Sequence, residues 1–163
     1  MNVVNIHKRH INQPKADVVR LIKTLSKKED KVWPNDNWPP MRFKNGLKVG
    51  EKGGHGIIRY EVEAFFPERL IVFKFLQPKG FNGIHKFEIE EINANTTLVT
   101  HSIIMKTMNF MTTLKWVLAI RWLHDALIEN AFDTIENNSL EIKKHTTWSI
   151  WVEFLRFILK KIR

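Results

Sequence analysis

The chain has 163 residues, 44% of them hydrophobic, a size and composition that suit one domain rather than two. It contains no cysteine, so disulfides and thiol chemistry are excluded, and we expect a reducing, cytoplasmic location. We expect no signal peptide, because charges interrupt residues 1–10, and no membrane span, because no stretch reaches roughly 18 consecutive apolar residues. The net charge of +9 is concentrated at the two ends of the chain, which argues against nucleic acid as a partner.

The first third of the chain predicts a strand, a short helix and a loop. Residues 3–11 have a strand pattern that stops at Pro14, and residues 16–25 keep the apolar spacing of a short amphipathic helix. The next segment contains several prolines and shows no periodicity, so it is predicted to be a loop. Its Trp33 and Trp38 are too large to leave in water, and we expect the loop to pack over one end of the core.

The middle of the chain alternates apolar and polar residues in the manner of antiparallel strands. Glycines punctuate residues 46–56, and four strands are then predicted at residues 55–66, 70–76, 83–92 and 97–106. Short turns containing Pro, Gly or Asn separate them. The pattern therefore predicts a four-stranded meander.

The period then changes to that of a helix. Residues 110–137 place their apolar side chains on one broad arc, with Asp125, Glu129, Asp133 and Glu136 opposite, so the apolar face is expected to pack on the sheet. After a break near residue 138, residues 147–163 predict a second amphipathic helix that is rich in tryptophan and basic residues.

This order of elements resembles the helix-grip layout, and three segments resemble signatures of uncharacterised bacterial proteins in the SRPBCC superfamily. The segments are Gly-Gly-His-Gly-Ile-Ile-Arg-Tyr (53–60), Gly-Phe-Asn-Gly-Ile-His-Lys-Phe (80–87) and Arg-Trp-Leu-His-Asp-Ala-Leu (121–127). The superfamily includes START lipid carriers, pollen-allergen-like proteins and polyketide cyclase-dehydrases. The resemblance covers roughly residues 3–137 and contains no cyclase or aromatase catalytic pattern that can be carried over.

The resemblance implies an α+β helix-grip fold, in which a curved antiparallel β-sheet wraps around a long C-terminal helix and encloses a deep ligand cavity. Residues 1–140 would form this SRPBCC-like ligand-binding domain. Residues 141–163, which include the extra amphipathic helix at the C-terminus, lie outside the resemblance and form a basic helical extension.

Histidines are the candidate polar groups of the cavity. If the turn at residues 93–95 pairs residues whose numbers sum to about 188, His85 faces residue 103 and His101 faces residue 87, which makes the two histidines diagonal neighbours about 7–8 Å apart. His124 falls within the apolar arc of the long helix, where Arg121 and Asp125 are spaced for an i, i+4 ion pair. The three histidines are therefore expected to converge.

Three interpretations of these histidines remain open. They can orient the polar end of a ligand, act as acid and base, or simply satisfy one another inside a packed core. They lack the spacing of a zinc site, so neither a metal nor a cofactor is expected. His55 lies between glycines, which is typical of a turn residue without a chemical role. The complete set of predicted ligand-binding residues is His85, His101, His124, Arg121, Tyr60, Phe87, Trp116 and Ile120.

The function favoured by these observations is the binding of a small apolar molecule, such as a lipid or polyketide, between the sheet and the long helix. One alternative is a cyclase- or dehydratase-type enzyme that uses the same histidines, although no carboxylate is predicted beside them. Another is a peripheral membrane lipid-transfer protein. Residues 147–163 could pack on their own domain, join two copies as a homodimer, or contact a membrane surface, and intramolecular or dimer packing is the favoured expectation.

Overall fold

The computed structural model describes residues 1–161, in which one antiparallel sheet of seven strands curves around a long helix. The strand order is β1-β7-β6-β5-β4-β3-β2. The last two residues of the predicted tail helix, 162 and 163, lie outside the described residues. The strands are β1 (Asn2–Ile11), β2 (Arg42–Phe43), β3 (Lys52–His55), β4 (Ile58–Phe66), β5 (Leu70–Gln77), β6 (Phe81–Asn93) and β7 (Thr96–Thr107).

The helices follow the predicted periodicity. A short helix, α1 (Lys15–Ile22), follows β1. The long helix consists of α2 (Phe110–Lys115), a π-helical turn (Trp116–Ile120) and α3 (Arg121–Asn137), which run on without a break. Asn109 caps its N-terminus by accepting a hydrogen bond from the Thr112 amide. The tail helix is α4 (Ile150–Lys161). The α+β helix-grip prediction is confirmed.

The predicted meander differs from the observed sheet in one detail. The single strand expected over residues 55–66 is divided between β3 and β4, because a tight turn at Gly56 reverses the chain. Gly56 has a φ of +51°, in the left-handed region that glycine enters without steric cost. As a result, His55 ends β3 opposite Ile58 and belongs to a sheet strand.

The core lies between the concave face of the sheet and α1, α3 and the tryptophan loop. Its largest fully buried side chains include Tyr60, Phe73 and Phe87 from the sheet. Trp33 and Trp38 are only 3% and 8% exposed, so the prediction that their loop packs on the core is confirmed. A smaller apolar cluster around Trp116 closes the end of the sheet beneath the π-helical turn.

The acidic side of the long helix is partly buried. It faces the edge strand β1, where Arg9 pairs with Glu129, Asp133 and Glu136 at 2.7, 3.2 and 2.5 Å. Asp133 and Glu136 are only 5% and 7% exposed. Buried carboxylates persist when they are paired, and one guanidinium can serve several acceptors.

The tail packs on its own domain through a small part of α4. Val152 is buried, and the Trp38 and Trp148 indoles both donate to the Asn130 side-chain oxygen at 2.9 and 2.8 Å. The Arg156 guanidinium lies over both of these rings, 4.3 and 3.9 Å from their centroids. None of the helices in residues 1–161 combines the length and hydropathy that crossing a membrane requires.

Candidate ligand-binding site

A row of polar rings crosses the interior between the sheet and the long helix. Neighbouring ring centroids are 4.6–5.9 Å apart along the whole row. We call it the imidazole row, and its members in order are His55, Tyr60, His85, His101, His124 and His7.

The β6–β7 register brings the central pair together as the sequence predicted. His85 faces Ile103 and His101 faces Phe87, so the predicted diagonal arrangement of the two histidines is confirmed. His101 Nε2 and His85 Nδ1 are 3.4 Å apart, a long hydrogen bond. Whichever nitrogen carries the shared proton, a neutral pair retains one free N–H donor and one free nitrogen acceptor. The prediction that the two histidines meet the helix at His124 is also confirmed, with 5.0 Å between the His101 and His124 rings.

Four buried polar atoms of this row have no hydrogen-bond partner among residues 1–161. They are Tyr60 Oη, His85 Nε2, His101 Nδ1 and His124 Nε2. A buried polar atom without a partner costs about 1–3 kcal/mol, and a folded domain usually contains only a few. Their concentration in one strip of the interior leaves unused hydrogen-bonding capacity there.

Burial keeps the inner histidines neutral. Desolvation lowers the pKa of His85 and His101 well below the usual value, and neighbouring histidines lower it further. The same effect lowers the pKa of His55 to about 3. Burial also lowers the pKa of His124, although Asp125 partly opposes this. The imidazoles are thus uncharged donors and acceptors at neutral pH.

The outer end of the row is charged instead. Burial disfavours the cation of His7, but hydrogen bonds to Asp125 (3.1 Å) and Glu129 (2.7 Å) outweigh it and raise the pKa of His7 to about 9. Burial raises the pKa of Asp125, but hydrogen bonds from His124, His7 and Asn5 outweigh it and hold that pKa below its usual range. This end therefore carries an imidazolium between two carboxylates.

The remaining predicted residues lie at different distances from the row. Phe87 packs edge-on against His101, with 4.6 Å between the ring centroids. Trp116 is 6.4 Å from His124 and only 3% exposed, and Ile120 packs beside it in the smaller apolar cluster.

Arg121 does not form the predicted ion pair with Asp125 within residues 1–161. Its guanidinium lies over the Trp122 ring, 4.8 Å from the centroid. The Asp125 carboxylate instead accepts hydrogen bonds from Asn5 and His7 on the edge strand. These bonds take the place of the predicted contact with Arg121.

Two residues of the row were not among the predicted site residues. His55 was interpreted as a turn residue, whereas its ring packs against Trp33 (4.9 Å) and Tyr60 (5.9 Å) inside the domain. His7 could have been found from β1, where Val3, His7 and Ile11 fall on the same side of the strand as Asn5 and Arg9.

The open cavity expected between the sheet and the helix is replaced by packed rings. Phe73 stacks on His85 at 4.8 Å, and Phe75 lies 5.0 Å from it. Two pockets within residues 1–161 lie elsewhere. One, of about 340 Å³, is on the convex sheet face, and the other, of about 240 Å³, lies beside α4.

One group of side chains could hold a metal ion. Donor atoms of His7, His124 and Asp125 all lie within 4.8 Å of one another. Two histidines and a carboxylate suit a divalent transition metal. Such an ion would have to displace the proton on His7, whose pKa is about 9, and compete with Glu129 for the same imidazole.

Comparison with known proteins identifies the fold class. No protein-family model matches the chain, and no curated protein matches it. Truncated norcoclaurine synthase from Thalictrum flavum superimposes with a TM-score of 0.65 at 12% identity, over 88% of this chain and 96% of that chain. Since the identity is so low, the similarity establishes the helix-grip fold alone.

Two further structures give the same result. A solution structure of a Thermobifida fusca protein has a TM-score of 0.64 at 13% identity, covering 88% of this chain and 99% of that chain. CalU16 from Micromonospora echinospora has a TM-score of 0.59 at 11% identity, covering 99% of this chain and 86% of that chain.

Proposed function

We propose that this protein is a member of the SRPBCC superfamily that binds a small, mainly apolar molecule between the sheet and the long helix. The observation that carries the proposal is the set of four unpartnered polar atoms on Tyr60, His85, His101 and His124. A bound molecule whose polar end reaches this strip would satisfy them and offset their cost. The fold is consistent with this use, since one neighbour of 11% identity, a norcoclaurine synthase mutant, is described in complex with a transition-state analogue.

The chemistry of the row favours a neutral ligand that carries a hydroxyl group. A hydroxyl both donates and accepts, which matches the free donor and free acceptor of the His85–His101 pair. A carboxylate would need a cation, and the inner histidines are held neutral by burial. The walls of the strip are aromatic, with Phe73, Phe75 and Phe87 around the pair, so the rest of the ligand is apolar and suited to ring contacts.

Binding requires side chains to move, because the rings pack closely in the structure. The state competent to bind is therefore a minor one, and the measured affinity is reduced in proportion to its population. Replacing a side chain whose buried polar atom has no partner by an apolar one should remove the cost of burying that atom in the free protein. Substitutions that remove such atoms are thus expected to weaken binding without weakening the fold.

A second candidate, an enzyme that moves protons, is favoured by one observation. Asp125 Oδ1 lies 3.5 Å from His124 Nδ1, so a carboxylate does stand beside an inner histidine, contrary to the sequence-based expectation. A carboxylate that holds an imidazole on one nitrogen leaves the other free to take or give a proton. In that case His124→Asn should lower turnover far more than it weakens ligand binding.

Native mass spectrometry of the purified protein tests the binding proposal. We expect a bound small molecule in the wild type, and a bound fraction at least tenfold lower in Tyr60→Phe/His85→Leu. The exposed His145 provides the matched control, His145→Leu, which should keep the ligand. Wild-type protein without a bound molecule, or an equal bound fraction in the double variant and the control, would contradict the proposal. So would a double variant that binds poorly because its melting temperature has fallen.

A further inference from the structure

A large apolar surface is formed by the first half of the long helix together with α4. The two parts meet where the Trp151 indole donates to the Leu118 carbonyl at 2.9 Å. Phe110 and Ile150 are 77% and 86% exposed, and the other members are at least 37% exposed. We call this the exposed helical surface, and it consists of Phe110, Met111, Leu114, Val117, Leu118, Trp122, Ile150, Trp151, Phe154, Phe157, Ile158 and Leu159.

The size of this surface calls for a partner. Its side chains expose on the order of 1,000 Å² of apolar area, whereas the largest patch on a typical monomer is about 300–600 Å². The domain itself covers little of α4, since Val152 is its one fully buried residue among residues 150–161. An exposed apolar patch larger than that of a typical monomer usually marks an interaction site.

The charges around the surface are nearly all positive. Residues 110–122 contain no acidic side chain, and residues 150–161 contain one, Glu153. These two segments contain five basic side chains. Arg156 packs over the Trp38 and Trp148 rings, and the other four are Lys115, Arg121, Lys160 and Lys161. In a two-fold dimer through this surface, each patch would meet its own copy and place like charges together. A surface of anionic lipid complements both the apolar area and the charge.

The π-helical turn holds two tryptophans at the centre of the surface. The Trp122 and Trp151 indoles donate to the adjacent carbonyls of Val117 and Leu118, at 3.0 and 2.9 Å. Indole N–H groups that already have an acceptor in the protein do not need water. Both rings can therefore enter the headgroup region without losing a hydrogen bond. Tryptophan is the residue type that prefers this depth of a bilayer.

From the exposed area, the positive charges and the fixed tryptophans, we propose that the exposed helical surface docks on an anionic membrane surface. The two helices lie in the interface, with Phe154 and Phe157 among the inserted side chains and with Lys115, Lys160 and Lys161 on lipid headgroups. This inference does not depend on the interior site, because no residue of the imidazole row belongs to the surface.

Vesicle sedimentation with the full chain tests the docking. The probes are phosphatidylcholine vesicles with and without about one third phosphatidylglycerol, at about 0.1 and about 0.5 M salt. Phe154→Glu/Phe157→Glu should lower partition into the anionic vesicles about tenfold or more. Ile57→Glu, in the β3–β4 turn and 70% exposed, is the matched control for an exposed apolar residue changed to an acid.

The expected result is binding to the anionic vesicles alone, weakened by salt, lost in the phenylalanine variant and kept in the control. Lys115→Gln/Lys160→Gln should reduce binding several-fold with the fold intact, which covers the case in which the phenylalanine variant fails to fold. No binding of the wild type, or equal binding of variant and control, overturns the proposal. A dimer that dissociates in the phenylalanine variant, without vesicle binding, assigns the surface to a second copy instead.

Discussion

Lowering the pH should destabilise this protein at pH values well above those at which carboxylates titrate. In the unfolded chain each histidine takes up a proton near pH 6.5, whereas the pKa of His85 and His101 in the folded protein is well below that value. The unfolded state therefore binds more protons below about pH 6.5, and stability falls as the pH falls through this range. His55 acts in the same direction, with its pKa lowered to about 3.

The size of the effect follows from linkage. Between about pH 7 and about pH 5.5, each histidine that stays neutral in the folded protein costs about 1.3 kcal/mol of unfolding free energy. His85 and His101 together lower the free energy of unfolding by about 2.5 kcal/mol over this range, and His55 lowers it further. His7 opposes them by under about 1 kcal/mol, because its cation is present in the folded state throughout the window. His124, whose pKa is also lowered, acts in the same direction, and we expect a net loss of about 3 kcal/mol or more.

Urea unfolding followed by tryptophan fluorescence at the two pH values measures this loss, with a constant m-value as the check on two-state behaviour. His85→Leu should remove about 1.3 kcal/mol of the difference. The exposed control His145→Asn should leave it unchanged. A wild-type difference below about 1 kcal/mol, or one that His85→Leu does not reduce, would refute the assignment of buried neutral imidazoles.

Three other outcomes can be measured in the same way. From about pH 7 to about pH 9.5, the free energy of unfolding should fall by about 2 kcal/mol as His7 loses the proton shared with its carboxylates. His7→Asn should remove this decrease, and a wild-type protein whose stability does not change over this range would contradict the prediction. Asn130→Leu leaves the Trp38 and Trp148 indoles without their acceptor and should cost about 2 kcal/mol or more; an unchanged midpoint would contradict it. Deleting residues 141–163 should cost about 2–4 kcal/mol through lost burial, and unchanged urea unfolding would show that the tail does not support the domain.

The sheet register and the meeting of three histidines were predictable because both depend on local rules. The short turn at residues 93–95 fixes the pairing of β6 with β7, and alternation then places His85 and His101 on one face. His124 follows from the helical period. The register and the inward direction of each histidine lie within single elements or one hairpin, and the helix-grip resemblance supplies the packing of the helix on the sheet.

The charged end of the row was not predictable in the same way. β1 alternates Asn5, His7 and Arg9 with exposed residues, so alternation places His7 on the inward face but does not reveal the carboxylates that it meets there. The acidic face of the long helix gives the usual pattern of a solvated surface. Only the pairing of β1 with β7 brings the two together, and that contact joins opposite ends of the chain.

The sequence also did not predict how closely side chains fill the space between the sheet and the long helix. A resemblance in element order implies a cavity, but whether it is open depends on how side chains such as Phe73 and Tyr60 fill the curved face. His55 shows the same limit, because its neighbouring glycines indicate a turn while its ring direction is set by Trp33 and Tyr60.

The most direct test of a ligand site in the imidazole row is a crystal structure of the protein with the molecule that copurifies with it. We expect an apolar molecule between the sheet and the long helix, with a polar atom within hydrogen-bond distance of Tyr60 Oη or His85 Nε2. A molecule found only on the exposed helical surface, or an interior in which the rings keep their packing and no ligand lies between them, would contradict this function.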